Sequence, residues 1–198
     1  GDFTINNNGI YALLEDRKGR IWIGTDGGGV NVFDPVSKKI KKYTQDNNNP
    51  ATISDNSIQY LYEDKKGRIW ISGYSNGLSI FNPENERFSH LNSSNSKISS
   101  NIISTVCEDR KGNIWIGTME RGLNKYNPAS GSFKSYNEDN GLINNTINFI
   151  TEDDKGFIWI STNSGIVRFD PEKEIYRNFG KHNGLKSQEF NMASGAKL

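Results

Sequence analysis

Residues 15–25 read EDRKGRIWIGT, and this stretch returns three more times along the chain. The copies read EDKKGRIWISG at 63–73, EDRKGNIWIGT at 108–118 and EDDKGFIWIST at 152–162. All four tryptophans of the protein occupy one position of this unit, and successive tryptophans are 48, 45 and 44 residues apart. A period of this length is typical of propeller blades, so the sequence predicts a β-repeat protein.

The composition excludes some classes of partner. The 198 residues include 24 Lys and Arg against 23 Asp and Glu, so the chain has no strong net field. We therefore expect neither a nucleic-acid partner nor direct contact with an anionic membrane. The single cysteine, Cys107, excludes an internal disulfide framework but leaves the compartment open. No apolar run is long enough to span a bilayer, so either the protein is soluble or its targeting and membrane segments lie outside this stretch, and our working assumption is a fragment.

Each copy of the repeat predicts four strands. A short apolar run precedes Glu-Asp, the glycine-containing turn leads into Ile-Trp-Ile, and a later glycine opens a third strand that stops at Asp-Pro or Asn-Pro. A more polar fourth strand follows, as expected for an outer edge. The predicted first strands are 10–14, 58–62, 103–107 and 147–151, the third strands are 30–33, 78–81, 123–126 and 166–169, and the fourth strands are 40–43, 88–91, 133–136 and 176–179.

The predicted architecture is all-β, a β-propeller fragment of four four-stranded antiparallel blades plus the first strand of a fifth. Its parts are a lead-in at 1–9, blades at 10–57, 58–102, 103–146 and 147–186, and the start of a further blade at 187–198. Neighbouring blades should bury the Ile-Trp-Ile strands, which makes core residues of Trp22, Trp70, Trp115 and Trp159, each worth roughly 2–3 kcal/mol. The open end faces predict self-association, or packing against neighbouring blades or domains of a longer protein.

The repeat resembles the two-component regulator propeller repeat, whose pattern is Glu-Asp, two residues, Gly, one residue, Ile-Trp-Ile-Gly-Thr, a variable turn, Gly-Leu, and an aromatic before Asp/Asn-Pro. This chain departs from it at Ser72-Gly73, Ser161-Thr162, Gly29-Val30 and Gly165-Ile166. The resemblance implies the periplasmic sensor region of a membrane histidine kinase, often a hybrid two-component system of glycan-degrading Bacteroidetes. It also implies two seven-bladed propellers and a β-sandwich in the whole ectodomain, of which this chain would be a part.

In a propeller, ligand-binding loops gather at the end where the second strand turns into the third and the fourth leads into the next blade. The repeat copies vary most there, and their Asn, Asp, Tyr and Arg side chains suit sugar hydroxyls and acidic sugars, although Asn and Asp are also ordinary turn formers. The candidate ligand residues are Asp26, Tyr74, Asn76, Glu120, Arg121, Asn163 and Asn145, with Asn56 and Asn101 at equivalent blade connections.

Catalytic, metal and cofactor sites are not predicted. The four Glu-Asp pairs always lie beside a turn glycine, so turn hydrogen bonding explains them better than paired acids or metal ligands. His90 and His182 stand alone and are predicted as surface residues, and Cys107 is predicted as a small core residue. The favoured function is a non-catalytic sensor module for a glycan-derived ligand, such as an oligosaccharide. The alternatives are a propeller enzyme like streptogramin lyase, which two histidines support poorly, and a structural propeller that mediates dimerisation.

Overall fold

The computed structural model describes residues 4–187, 189–191 and 195. Within them the chain forms four sheets of four antiparallel strands, which we call blades 1 to 4. Blade 1 contains β1 (Ile10–Glu15), β2 (Ile21–Thr25), β3 (Val30–Asp34) and β4 (Lys39–Tyr43), and blade 2 contains β5 (Ile58–Glu63), β6 (Ile69–Gly73), β7 (Leu78–Asn82) and β8 (Arg87–Leu91). Blade 3 contains β9 (Ile103–Glu108), β10 (Ile114–Thr118), β11 (Leu123–Asn127) and β12 (Ser132–Tyr136), and blade 4 contains β13 (Ile147–Glu152), β14 (Ile158–Thr162), β15 (Gly165–Asp170) and β16 (Ile175–Phe179).

The all-β class and the four-blade repeat are confirmed. In every blade the strands follow one another in sequence order across the sheet, as tight antiparallel connections require. Two short 3-10 helices, Glu138–Asn140 and Lys181–Asn183, lie in the loops after β12 and β16 and were not predicted. No helix among the described residues has the length and hydropathy needed to cross a membrane.

The chain divides into two compact units, Gly1–Asn95 with blades 1 and 2, and Ser96–Leu198 with blades 3 and 4. Each unit has its own buried core where its two blades face each other. The first core includes Trp22, Val30, Ile58, Leu61, Ile69, Ile71 and Phe81, and the second includes Trp115, Leu123, Ile147, Ile150, Ile158, Ile160 and Phe169. Within each unit, the tryptophan of the first blade packs onto the second blade, and the isoleucines of the second blade pack onto the first.

Aromatic side chains form the centre of each interface between two blades of one unit, which we call a blade joint. Trp22 stacks on Tyr43 of its own blade at 6.2 Å, and Phe81 of blade 2 covers it at 5.2 Å. In the second unit Trp115 stacks on Tyr136 at 5.9 Å and Phe169 of blade 4 covers it, also at 5.9 Å. Such offset and edge contacts stabilise aromatic pairs beyond the burial of their area.

The Glu-Asp turn carries a buried carboxylate that ties the turn to the tryptophan. Asp16 is only 3% exposed; its Oδ1 accepts from the Lys18 and Arg20 backbone N–H groups at 3.0 and 2.9 Å. Its Oδ2 accepts from Arg20 Nε at 2.7 Å and from the indole Nε1 of Trp22 at 2.8 Å. The same indole–carboxylate bond recurs at Asp64–Trp70, Asp109–Trp115 and Asp153–Trp159. The turn thus satisfies the one polar atom that burial of the indole would otherwise leave unpaired.

An arginine clasp reinforces each joint at the same end of the blades. The Arg17 backbone N–H and Nε donate to the Glu63 carboxylate of blade 2 at 2.9 and 2.8 Å, and its terminal nitrogens donate to the Asp64 and Lys65 carbonyl oxygens. In the second unit Arg110 makes the equivalent bonds to Glu152 and to the two carbonyl oxygens that follow it. The planar guanidinium fork matches the carboxylate and the turn carbonyls together.

The outer face of blade 4 is less covered than its counterparts. Trp22, Trp70 and Trp115 are 0% exposed, whereas Trp159 is only partly buried. Trp159 stacks on Phe179 at 5.5 Å, which repeats the pairing within blades 1 and 3. The predicted start of a further blade at 187–198 lies mostly outside the described residues. Of those that are described, Phe190 and Gly195 line a cavity on this face together with Phe149 and Trp159.

Candidate functional site

Each blade has one end where the four copies of the repeat have nearly the same sequence and one end where their sequences differ. The constant end carries the β1–β2 type of turn with its buried aspartate, and the arginine clasps of Arg17 and Arg110 lie there as well. The variable end carries the β2–β3 type of turn and the loop that enters the blade, and backbone bonds such as Met119 N–H to the Ile102 carbonyl at 3.1 Å hold the two together. The candidate ligand residues all lie at this variable end, which we call the rim.

In blade 1 the rim is organised around Asp26. Its carboxylate accepts from the Tyr11 hydroxyl at 3.2 Å and from the Ser57 hydroxyl at 3.0 Å, while its carbonyl oxygen accepts from Asn7 Nδ2 at 2.5 Å. The negative charge of Asp26, together with this hydrogen bond, raises the pKa of the exposed Tyr11 phenol. The sequence pattern pointed to Asp26 but not to Tyr11 or Ser57, because Tyr11 lies in β1, Ser57 lies in the loop before β5, and neither is marked by the repeat.

In blade 2 the rim is built on Asp55. Its Oδ2 accepts from the Tyr74 backbone N–H at 2.9 Å, and Asn76 Nδ2 donates to the Ser54 carbonyl at 2.9 Å. The Tyr74 side chain is 68% exposed, so it is available as an aromatic platform. Gly73 stands where blades 1, 3 and 4 have threonine, and a Cβ there would lie 2.2 Å from that of Asp55. The glycine in place of threonine at position 73 is the sequence signal that marks the close approach of Asp55.

In blade 3 the candidates have different local roles. Ser100 donates a long bond of 3.4 Å to the Glu120 carboxylate, and Arg121 is exposed with its backbone N–H donating to the Thr118 hydroxyl at 2.9 Å. Asn145 is committed to its loop: its Oδ1 accepts from the Glu138 backbone N–H and its carbonyl from the Gly122 N–H, both at 2.9 Å. Glu120 and Arg121 therefore offer charged side chains at the rim, whereas the Asn145 amide oxygen shapes the backbone.

Asn56 has the same place in the first unit as Asn145 in the second. Its Oδ1 accepts from the Gln45 backbone N–H at 2.7 Å, and its carbonyl accepts from the Gly29 N–H at 2.8 Å. Asn101, the third connection residue, is partly buried in the loop before β9. Asn56 and Asn145 thus fix the loops that lead from the first to the second blade of each unit, which is the turn-forming role that competes with ligand binding for this residue type.

Blade 4 contains a rim cavity of about 490 Å³, lined by Ile143, Asn163, Ser164, Lys181, Lys186, Ser187 and Glu189. The Asn163 amide oxygen accepts from Asn148 Nδ2 at 2.9 Å, which fixes the orientation of its amide and presents Nδ2 as a donor. Two lysines, two hydroxyls and one carboxylate surround a single apolar side chain. Sequence analysis identified Asn163 here but not Lys181 or Lys186, since these follow the last fourth strand rather than a repeated turn.

The two histidines do not form a catalytic pair. His90 Nε2 lies 3.0 Å from the Pro50 carbonyl oxygen, so it is the donor, and Nδ1 accepts from the Ser79 hydroxyl at 3.2 Å. His90 was predicted as a surface residue but is partly buried as this structural bridge, whereas His182 is exposed in a 3-10 helix. In the portion of the chain that the structure describes, no three His, Cys, Asp or Glu side chains group as metal ligands. Cys107 is partly buried and packs against the second core.

The segments of the chain that match a known protein family coincide with the four copies of the repeat. The family described as two component regulator propeller matches residues 4–27, 52–75, 97–120 and 141–164. The first match starts within the lead-in, where the Asn6 backbone N–H donates to Asn31 of β3 at 3.1 Å. Equivalent bonds in blades 2 and 3 run from the Ser54 N–H to Ser79 and from the Ser99 N–H to Asn124. Among curated protein sequences, no relative matches the chain.

Solved structures with the same fold include two extracellular domains from B. thetaiotaomicron. One belongs to a hybrid two-component system and is 27% identical with a TM-score of 0.80, covering 94% of this chain and 25% of that one. The other belongs to a one-component system and is 25% identical with a TM-score of 0.74, covering 91% of this chain and 26% of that one. The chain thus spans about a quarter of the length of these two proteins.

An enzyme shares the fold at lower identity. The virginiamycin B lyase of Staphylococcus aureus, in a catalytically inactive form, is 18% identical with a TM-score of 0.68, covering 91% of this chain and 58% of that one. A likeness of this degree shows the fold alone.

The family matches recur on every blade, and each match spans the Glu-Asp turn, the tryptophan and the start of the rim. The chain carries four two-component regulator propeller repeats and belongs to that repeat family.

Proposed function

We propose that this chain is part of the extracytoplasmic, periplasmic sensor region of a membrane two-component system, in which it binds a glycan-derived ligand at the rim. The observation that carries the proposal is the combination of four family repeats with a 27% identical extracellular domain of a hybrid two-component system. In that setting the histidine kinase lies elsewhere in the longer protein, and the propeller itself is non-catalytic. The structural bridge at His90 supports this, because neither of its ring nitrogens is free for acid–base work.

The blade 4 rim cavity supports the choice of ligand class. Its volume of about 490 Å³ accommodates one or two sugar rings, and its polar groups suit hydroxyls that donate and accept hydrogen bonds. Lys181 and Lys186 add positive charge that favours a sugar carrying a carboxylate or a sulfate. The Asn163 Nδ2 provides a donor of fixed direction. We therefore place the ligand contacts of this proposal on Asn163, Lys181 and Lys186.

Calorimetry and thermal-shift measurements against matched neutral and acidic oligosaccharides test the proposal. We expect heat of binding and a raised melting temperature for an acidic member of the panel. Asn163→Ala should weaken that binding by about tenfold, the effect of losing one well-placed hydrogen bond. The matched control is Asn178→Ala, an exposed asparagine of β16 in the same blade, which should leave affinity unchanged.

Two results would count against this proposal. Absence of binding to every saccharide by both this chain and the longer ectodomain would remove the direct-sensing role. Equal affinities of the Asn163→Ala and Asn178→Ala variants for a saccharide that does bind would move the site away from blade 4.

A further inference from the structure

The two units contain the same kind of blade joint, and a cavity lies beside the arginine clasp of each. The cavity of the first unit has a volume of about 220 Å³ and is lined by Arg17, Glu63 and their neighbours. The cavity of the second unit has a volume of about 300 Å³ and is lined by Arg110, Glu152 and their neighbours, and we call it the clasp cavity. It lies between blades 3 and 4 at their constant end. The first unit therefore shows which side chains the joint itself requires.

Two lysines distinguish the clasp cavity from its counterpart. Lys125 of β11 stands at the position of Val32 in blade 1, since each pairs with the tryptophan of the adjacent strand. Lys173, three residues after the end of β15, stands at the position of Asn85 in blade 2. The first unit forms its joint without these two charges. Packing of the blades therefore does not explain them.

The four carboxylates that line the clasp cavity already have partners. Two of them are in ion pairs, Glu152 with Arg110 at 3.1 Å and Glu172 with Lys111 at 2.6 Å. The other two, Asp109 and Asp170, accept hydrogen bonds from backbone N–H groups of their own turns. These acids are therefore neutralised or held in place by groups of the fold.

Three lysines of the clasp cavity are available to an anion. In the described part of the chain, Lys125, Lys155 and Lys173 form no ion pair with a carboxylate. The Arg110 guanidinium, in contrast, is already used by the clasp. The positive charge on offer thus comes from separate ammonium groups, without the planar fork that binds a carboxylate in two places.

Phe157 gives the clasp cavity an aromatic side. In blade 2 its position is taken by Arg68, whose guanidinium binds the buried Asp64 at 2.6 Å and lies over the Trp70 ring. In blade 4 the phenylalanine lines the cavity, and the Arg168 guanidinium lies 4.4 Å from its ring centre. An aromatic ring at the wall of a cavity is suited to packing against a ring of a ligand.

We propose that the clasp cavity binds a small molecule in which a phosphate or sulfate group is attached to a ring. Lys125, Lys155 and Lys173 hold the anion, and the ring of the ligand lies against Phe157. A tetrahedral oxyanion suits several separate ammonium groups. The volume of about 300 Å³ is at the lower end of the range for small-molecule sites, as one ring with one charged substituent requires. This site lies at the end of the blades away from the rim and goes beyond the saccharide binding proposed there.

Calorimetric titrations of the whole chain in a phosphate-free buffer test the class of ligand. The probes are phenyl phosphate, phenyl sulfate, inorganic phosphate and benzoate, all at one ionic strength. We expect saturable binding of phenyl phosphate, phenyl sulfate or both, and the tighter of the two identifies the anion. Benzoate should bind about tenfold more weakly, because its planar carboxylate meets no free guanidinium. Inorganic phosphate should bind more weakly than phenyl phosphate, because it has no ring.

Substitutions with the residues of the first unit test the location of the site. The double variant Lys125→Val/Lys173→Asn should bind the phenyl ester about tenfold more weakly or worse, since it loses two charge-assisted contacts. The first unit folds with these residues at the same positions, so the joint should be retained. The matched control is Lys39→Asn/Lys42→Asn, which removes the same charge from exposed positions of β4 and should leave the affinity unchanged.

Two further variants separate the ring contact from the rim. Phe157→Ala should lower the affinity for phenyl phosphate to that for inorganic phosphate. Lys181→Ala/Lys186→Ala removes the two rim lysines and should leave both affinities unchanged. Circular dichroism and melting curves confirm that each variant is folded.

The proposal is overturned if neither phenyl ester binds saturably, or if benzoate binds as tightly as the esters. It is also overturned if Lys125→Val/Lys173→Asn and Lys39→Asn/Lys42→Asn bind equally well, because binding would then depend on net charge alone. Unchanged binding of phenyl phosphate by Phe157→Ala, or its loss in Lys181→Ala/Lys186→Ala, would likewise contradict the site. Saccharide binding at the rim is tested separately by Asn163→Ala.

Discussion

The indole Nε1 of Trp22 donates a 2.8 Å hydrogen bond to the buried carboxylate of Asp16, six residues earlier in the chain. The bond joins the most repeated turn of the protein to the largest side chain of its core. It also explains why Glu-Asp and Ile-Trp-Ile recur together: the aspartate and the tryptophan each satisfy a buried polar group of the other.

Removing this carboxylate should destabilise the first unit strongly. Asp16→Ala leaves the Trp22 indole and two turn N–H groups without their acceptor, so we expect a loss of about 3 kcal/mol in the free energy of unfolding, measured by urea denaturation. Glu15→Ala is the matched control, because Glu15 is the adjacent acid but is exposed, and its change should stay within about 0.5 kcal/mol. Similar losses in the two variants would show that the indole–carboxylate bond is not important for stability.

The same aspartates should make the fold sensitive to acid. Burial acts to raise the pKa of Asp16, but bonds from the Trp22 indole and the Arg20 N–H groups, with the Arg20 charge, outweigh it and leave the pKa below its usual value. In Asp153 burial is likewise outweighed, by bonds from the Trp159 indole and the Phe157 and Lys155 backbone, so its pKa is also lowered. A lowered folded-state pKa stabilises the fold above the unfolded-state pKa of about 4 and loses this contribution as pH falls through the folded value.

We therefore expect the free energy of unfolding to be steady from pH 7 to about pH 5 and to fall below about pH 4. Urea denaturation at intervals from pH 7 to pH 3 measures this dependence. Asp16→Asn removes one titrating group and should reduce the slope below pH 4. An unchanged slope in this variant would assign the acid sensitivity to other carboxylates.

The four tryptophans should differ in accessibility. Trp22, Trp70 and Trp115 are 0% exposed, while Trp159 is only partly buried. We expect acrylamide to quench one class of fluorophore in the parent protein, and Trp159→Phe to remove that class. Trp115→Phe is the control and should leave the quenched class intact.

The stability cost of losing these tryptophans should follow the same order. Trp115→Ala should cost about 3–5 kcal/mol, the range for a fully buried large aromatic, and Trp159→Ala clearly less. Urea denaturation of the two variants measures the difference. Equal costs would mean that blade 4 is covered in solution by a partner or by other residues of the chain.

The arginine clasp should contribute more than an ordinary surface ion pair. A double-mutant cycle on Arg17 and Glu63 should give a coupling free energy of about 1 kcal/mol, because Glu63 is only 14% exposed and two turn carbonyl oxygens orient the Arg17 guanidinium. Lys41 and Glu86 join the same two blades at 2.8 Å but are 52% and 62% exposed, so their coupling should be close to zero. Arg17→Lys should lose most of the coupling, since lysine lacks the fork.

The sequence was sufficient to predict the strands, because the four copies of the repeat can be aligned and each copy shows the same strand positions. The third strand predicted at 30–33, for example, is Val30–Asp34 in the structure. The Arg17–Glu63 clasp was not foreseen, although both residues were visible, because its partners are 46 residues apart and meet only when two blades pack. A repeated pattern predicts the strands and contacts within one blade, but it does not identify the residues of neighbouring blades that will meet.

The rim was harder to predict for a related reason. Asp26, Tyr74 and Asn163 were predicted because they lie where the copies diverge. Their hydrogen-bond partners Tyr11, Asp55 and Asn148 come from β1, from the loop before β5 and from β13, which the divergence does not mark. Asparagine is a residue type suited to ligand binding, yet the Oδ1 and the carbonyl oxygen of Asn145 accept hydrogen bonds from loop N–H groups. Only the folded arrangement distinguishes an asparagine that shapes a turn from one that presents its amide outward.

The Asp16–Trp22 bond spans six residues, whereas the Arg17–Glu63 bond spans 46. Closing a loop of six residues costs little chain entropy, so each turn and its tryptophan strand can form while the polypeptide is still being synthesised. The joint between two blades must wait until the second Glu-Asp turn has emerged. The repeat therefore gives the nascent chain an order of events within each unit, in which each blade is completed locally before the second docks on the first.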